Sequence, residues 1–173
     1  MLRIHTLRVA FRKKPRRWWT RFIPERLRKK YSHAEIILPD GQNRVALEWG
    51  KRVGSLTRLD ASAHDWDEVH LYVTEGQVGR LLDFYNFTTG SRYDWLGELL
   101  SKLLPWRVKW RGRWTTYGWL LYALTHARIL DFSVSQPFDR TDVDADTLWV
   151  LTVMAANYNA QRLADQESID DND

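Results

Sequence analysis

Trp114-Thr115-Thr116-Tyr117-Gly118-Trp119-Leu120-Leu121-Tyr122-Ala123-Leu124 reads as the opening of a buried helix. Leu120, Leu121 and Leu124 recur at helical spacing, and Thr115 or Thr116 can serve as the N-cap. The first turn of a helix presents unpaired N–H groups and a partial positive charge, a setting that favours a thiolate or an oxyanion. A cysteine here would have the surroundings of a catalytic nucleophile. The chain has a threonine at that place and no cysteine anywhere.

Working outward, the 173 residues fit about one domain and are enough to bury a core. Ten tryptophans are far more than usual and point to a packed aromatic core with an aromatic contact surface. The absence of cysteine excludes disulfides and cysteine-based metal or redox sites, without fixing the compartment. Met1-Leu2-Arg3-Ile4-His5 lacks the apolar stretch of a secretory signal, and no apolar run approaches the ~20 residues that cross a bilayer. The protein is therefore expected to be made and kept in a cytosol. Net charge is only +4, but it is segregated. The first thirty residues carry a dense set of arginines and lysines opposed by Glu25 alone, and the last thirty-five are strongly acidic. Such asymmetry suggests an electrostatic partner: another copy, a neighbouring subunit, or phosphate at the basic end.

In chain order, residues 2–11 alternate and fit a strand. A basic run follows, broken by Pro15, and then Trp18, Trp19, Phe22 and Ile23 recur at helical spacing. Arg16, Arg17, Trp18 and Trp19 are candidate interface anchors, as are Trp106 and Trp110 in the basic aromatic stretch 106–114. Strands are expected at 34–38, at 44–49 after the turn Pro39-Asp40-Gly41-Gln42, and at 67–73. Helices are expected at 77–88, with Gly90 a candidate left-handed cap, from Tyr93 to Pro105, from Thr116 to Ala127, and from Thr147 to Leu163. The organisation expected is a basic aromatic arm at 1–30, a core at 31–138, and a C-terminal helix with an acidic tail at 139–173. The fold class is α+β, an antiparallel sheet packed against helices.

Three stretches together resemble the circularly permuted branch of the NlpC-type papain-like superfamily. They are Tyr31-Ser32-His33-Ala34-Glu35, Gly90-Ser91-Arg92-Tyr93-Asp94-Trp95-Leu96-Gly97, and the helix opening at Trp114. The resemblance covers about Tyr31 to Pro137. It implies a papain-like fold in which His33 holds the histidine position and Thr116 stands where the nucleophilic cysteine belongs. Thr115, Thr116, Tyr117 and Gly118 replace the family's Phe, Cys, Ser and Glu. The orienting residue should come from the next strand, with Glu48 the best candidate and Glu35 the alternative on the same sheet face as His33. Members with these motifs look like those encoded by tailed bacteriophages. The resemblance therefore implies a virion protein of the tail or connector, made in the host cytoplasm.

The chemistry argues against activity. A threonine hydroxyl is much less acidic than a thiol, and threonine nucleophiles generally rely on an N-terminal amine as base, whereas Thr116 is mid-chain. His33, Glu48 and Thr116 are accordingly expected to be vestigial positions. His5, His33, His64, His70 and His126 match no metal-binding spacing, and no phosphate loop or dinucleotide glycine pattern occurs, so neither metal nor cofactor is expected. The function expected is a catalytically inactive structural or binding module whose partners are other protein subunits of a larger assembly, copies of itself included. The alternatives are an amide or ester hydrolase acting on cell-wall peptide or acyl substrates, and a binder of nucleic acid or anionic membrane through the basic arm.

Overall fold

The computed structural model describes residues 3–13, 30–41, 43–45, 57–58, 65–94, 113–131 and 143–170. Among these residues ten elements follow one another: β1 (Ile4–Lys13), β2 (Tyr31–Ile37), β3 (Asn43–Val45), β4 (Thr57–Arg58), β5 (Trp66–Thr74), α1 (Glu75–Thr88), β6 (Arg92–Tyr93), β7 (Arg113–Trp114), α2 (Thr116–His126) and α3 (Ala145–Asp170). The chain is α+β. Five strands form a sheet in the order β4-β3-β2-β1-β5, with antiparallel neighbours throughout.

β1 lies between β2 and β5 in this sheet. Phe11 lies opposite Ala34 and Val9 opposite Ile36 on one side, and Leu7 lies opposite Leu71 and Val9 opposite Val69 on the other. Residues 4–13 of the basic N-terminal stretch are therefore built into the sheet. Side chains alternate along a strand and paired residues share a face. Leu7, Val9 and Phe11 thus line one face together with Ala34, Ile36, Val69, Leu71 and Val73, and all of them belong to the main core.

The helices cover that face. Leu81 and Phe84 of α1, Trp119, Leu120 and Leu124 of α2, and Leu148 and Leu151 of α3 join the same cluster. Phe11 meets Trp149 of α3 edge-on, with ring centroids 5.1 Å apart. The register shifts between Arg12 and Lys13, where Ser32 is the extra residue of β2. This bulge returns Tyr31 to the helix-covered face, 5.0 Å from the Trp149 ring.

α1 starts with a capping box. Gln77 N–H donates to Thr74 Oγ1, and Thr74 N–H donates to Gln77 Oε1. The Gln77 amide also donates to the Arg128 carbonyl at 2.7 Å, tying α1 to the end of α2. Beyond α1, Thr89 in extended backbone and Gly90 at φ +83° make a type II turn closed by Ser91 N–H on the Thr88 carbonyl. At the interface of α1 and α2, the fully buried Trp119 donates its indole N–H to Thr88 Oγ1 at 2.9 Å. Among the described residues no helix is long and apolar enough to cross a membrane.

Candidate functional site

The first turn of α2 gathers all three motif stretches. Thr115 is the N-cap, its Oγ1 accepting the Gly118 N–H at 3.2 Å. Thr116, the first helical residue, is buried. Immediately before it, β7 pairs in parallel with β6, Tyr93 opposite Trp114, and Asp94 N–H donates to the Trp114 carbonyl at 2.9 Å. The Tyr-Asp part of the second motif thus abuts the helix start. Immediately after Thr116, the Tyr117 hydroxyl donates to the Ser32 carbonyl at 2.7 Å, which brings in the strand that carries His33.

His33 itself turns the other way. It pairs with Arg12, which alternates with Phe11 and so faces away from the helices. On that side the His33 ring sits 6.2 Å from Trp66, whose own partner is also Arg12. His33 Nε2 lies 3.1 Å from Glu35 Oε1, and Arg44 Nη1 donates to both Glu35 oxygens at 3.0 and 2.8 Å. The Glu35 side chain is only 5% exposed, so the ion pair is desolvated and rests on its hydrogen bonds. Of the two residues expected to orient His33, the structure brings Glu35 to it.

His33 and Thr116 therefore lie on opposite sides of the sheet, and His33 bonds Glu35 rather than the threonine. His33 is thus not placed as the base that would activate the Thr116 hydroxyl. Glu48, Arg16, Arg17, Trp18, Trp19, Trp106 and Trp110 lie outside the described residues. So do the rest of the strand expected at 44–49, residues 95–105 of the expected helix, and the basic aromatic stretch up to Gly112, whereas Tyr93, expected to open that helix, lies in strand β6 paired with β7. Among the described residues, no three His, Asp or Glu side chains come together as metal ligands would.

A second polar cluster lies at the same end of the sheet and has no counterpart in the sequence reading. Asp67, on the helix-covered face, accepts from the Tyr31 hydroxyl at 2.8 Å, from Lys13 Nζ at 2.6 Å and from Lys30 Nζ at 2.9 Å. Burial pushes its carboxyl up, but the hydrogen bonds from Lys13, Lys30 and Tyr31 outweigh that and hold it well below the usual carboxylate range. The same contacts raise Lys30, first through Tyr31 and then through Asp67. Tyr31 is raised by burial and by Asp67, against the opposing pull of Lys30. Next to this cluster, Asp146 in the first turn of α3 accepts the backbone N–H groups of both Lys30 and Tyr31 at 3.0–3.1 Å. The residues come from positions 13, 30, 31, 67 and 146, and no local spacing announces such a group.

Searches against protein-family models, curated proteins and solved structures find no match to this chain.

Proposed function

We propose that the chain is a catalytically inactive papain-like domain, of the permuted NlpC type, that works by binding as a structural component of a tailed-bacteriophage virion, in the tail or connector. The observation that carries the reading is the meeting of three distant stretches at one helix start: Ser32 beside His33, Tyr93-Asp94, and Trp114 to Tyr117. A permuted papain-like domain would open its nucleophile helix there, and here His33 is turned away from it. The place holds a buried threonine, its histidine is committed to Glu35 on the other face, and no cysteine exists to act. A site with this layout and no attacking atom is consistent with a domain kept for its surfaces. The virion placement rests on the motif phrasing and is a fold-level analogy.

Two measurements test the two parts. Incubated with peptidoglycan fragments and with activated acyl esters, the protein is expected to release no product above buffer. Turnover abolished in both His33→Ala and Thr116→Ala would overturn the inactive reading. In particles purified on a density gradient, the chain is expected at a fixed copy number by quantitative mass spectrometry. Its absence from purified particles would overturn the placement.

A further inference from the structure

Asp67 and two aromatic rings form a socket for an ammonium group. Lys30, the residue before β2, fills it. Its Nζ lies 2.9 Å from Asp67 Oδ2, 4.8 Å from the Tyr31 ring centroid and 5.3 Å from that of Trp149. Both rings are within the roughly 6 Å over which an aromatic ring attracts a cation. The walls of the socket do not depend on the lysine. Tyr31 and Trp149 lie 5.0 Å apart, and the fully buried Phe11 packs against both, at 5.4 and 5.1 Å. The Tyr31 hydroxyl donates to Asp67 Oδ2 at 2.8 Å and fixes the carboxylate beside the rings.

The occupant is held by its backbone and open to solvent at its tip. Asp146 accepts the backbone N–H groups of Lys30 and Tyr31, which delivers the Lys30 side chain to the socket. That side chain is 59% exposed, so solutes reach the ammonium group. The local charge calls for a cation. Among the described residues of this cluster, Asp67 and Asp146 stand against Lys30 and against Lys13, which takes the other oxygen of Asp67 at 2.6 Å. Two negative charges meet two positive ones, and without Lys30 one negative charge is left over next to two aromatic rings. A primary ammonium suits the place, because its three N–H donors can serve the carboxylate while its charge lies against the rings.

We propose that Asp67, Tyr31 and Trp149 form a binding site for a primary alkylammonium group, kept closed in this chain by its own Lys30. The tethered lysine has a high effective concentration and excludes a free amine, and the site opens to an external amine only when Lys30 is gone. This goes beyond the function proposed above and is independent of it, because neither an inert module nor an enzyme requires such a site.

Chemical rescue of the full chain tests the proposal. Lys30→Ala removes Cγ, Cδ, Cε and Nζ, the atoms that n-propylammonium carries. The side chain is more than half exposed, so the variant keeps the fold, and its thermal melt is expected about 2–4 °C below the parent. At roughly 50 mM, n-propylammonium chloride is expected to restore more than half of that loss along a saturating curve. Sodium chloride at the same ionic strength is expected to restore none of it, and the parent is expected to be unmoved by the amine. Lys30→Ala combined with Asp67→Asn should show no rescue. An unchanged melt in Lys30→Ala overturns the proposal. So does a loss that the amine does not restore, one that sodium restores equally well, or a rescue that persists in the double variant.

Discussion

Glu35 accepts from His33 and from Arg44 at once, at 3.1 Å and 2.8 Å, on the sheet face turned away from α2. The carboxylate is buried and its charge is balanced by Arg44. Removing the arginine strands a desolvated charge, whereas removing both partners does not. Arg44→Met is expected to cost about 3 kcal/mol. Glu35→Gln combined with Arg44→Met should recover much of that loss. Urea denaturation of the two single variants and the double variant closes the cycle, and additive losses would count against the pair.

Asp67 ties stability to acidity. Its carboxyl is held below the usual range in the folded chain, so the unfolded chain binds a proton first as pH falls. The stabilisation is present above the ordinary carboxylate range and is lost progressively below it, from about pH 5 toward about pH 2. Asp67→Asn should be less stable than the parent at neutral pH and should lose less on acidification. The exposed Lys13 and Lys30 ammonium groups make part of the effect sensitive to salt. Thermal melts at stepped pH check it: parallel pH profiles for the two proteins would refute the linkage.

Thr88 and Trp119 join α1 to α2 through one hydrogen bond with no exposure at the indole. Thr88→Val keeps the shape and removes the acceptor. Leaving the N–H unpaired is expected to cost about 1–3 kcal/mol. The measurement is the denaturation midpoint, read by tryptophan fluorescence and by circular dichroism together, and an unchanged midpoint would contradict it.

Asn159 holds a buried amide nitrogen that has no hydrogen-bond partner. Asn159→Ala removes that uncompensated donor and introduces the strongest helix former. Stability is expected to hold or to rise by up to about 1 kcal/mol. A loss larger than about 1 kcal/mol on denaturation would mean that the amide contributes packing that outweighs its unpaired group.

The sequence is informative where a pattern is local. The alternation from Asp67 to Val73 marks β5, the glycine after Thr89 marks the left-handed turn, and the leucines after Trp119 mark α2. Thr74-Glu75-Gly76-Gln77 carries a capping box, so α1 begins at Glu75, two residues before the helix expected from 77. Other features depend on distant partners. The face taken by His33 follows from its pairing with Arg12, and the bulge at Ser32 that separates it from Tyr31 has no sequence signature. Glu35 reaches His33 because neighbours two apart on a strand share a side. Asp146 meets Lys30 and Tyr31 across more than a hundred residues, a contact only tertiary packing can make.

The place of β1 between two other strands sets a timetable for synthesis. Ile4–Lys13 leaves the ribosome before either strand that flanks it, and its second neighbour, Trp66–Thr74, emerges only some sixty residues later. In the interval an apolar ribbon bearing Leu7, Val9 and Phe11 has an open side with nothing to bond. Nascent chains in that condition are prone to pair with one another. Production of this protein should therefore benefit from slow translation or from a chaperone that shelters the first strand until its second neighbour arrives.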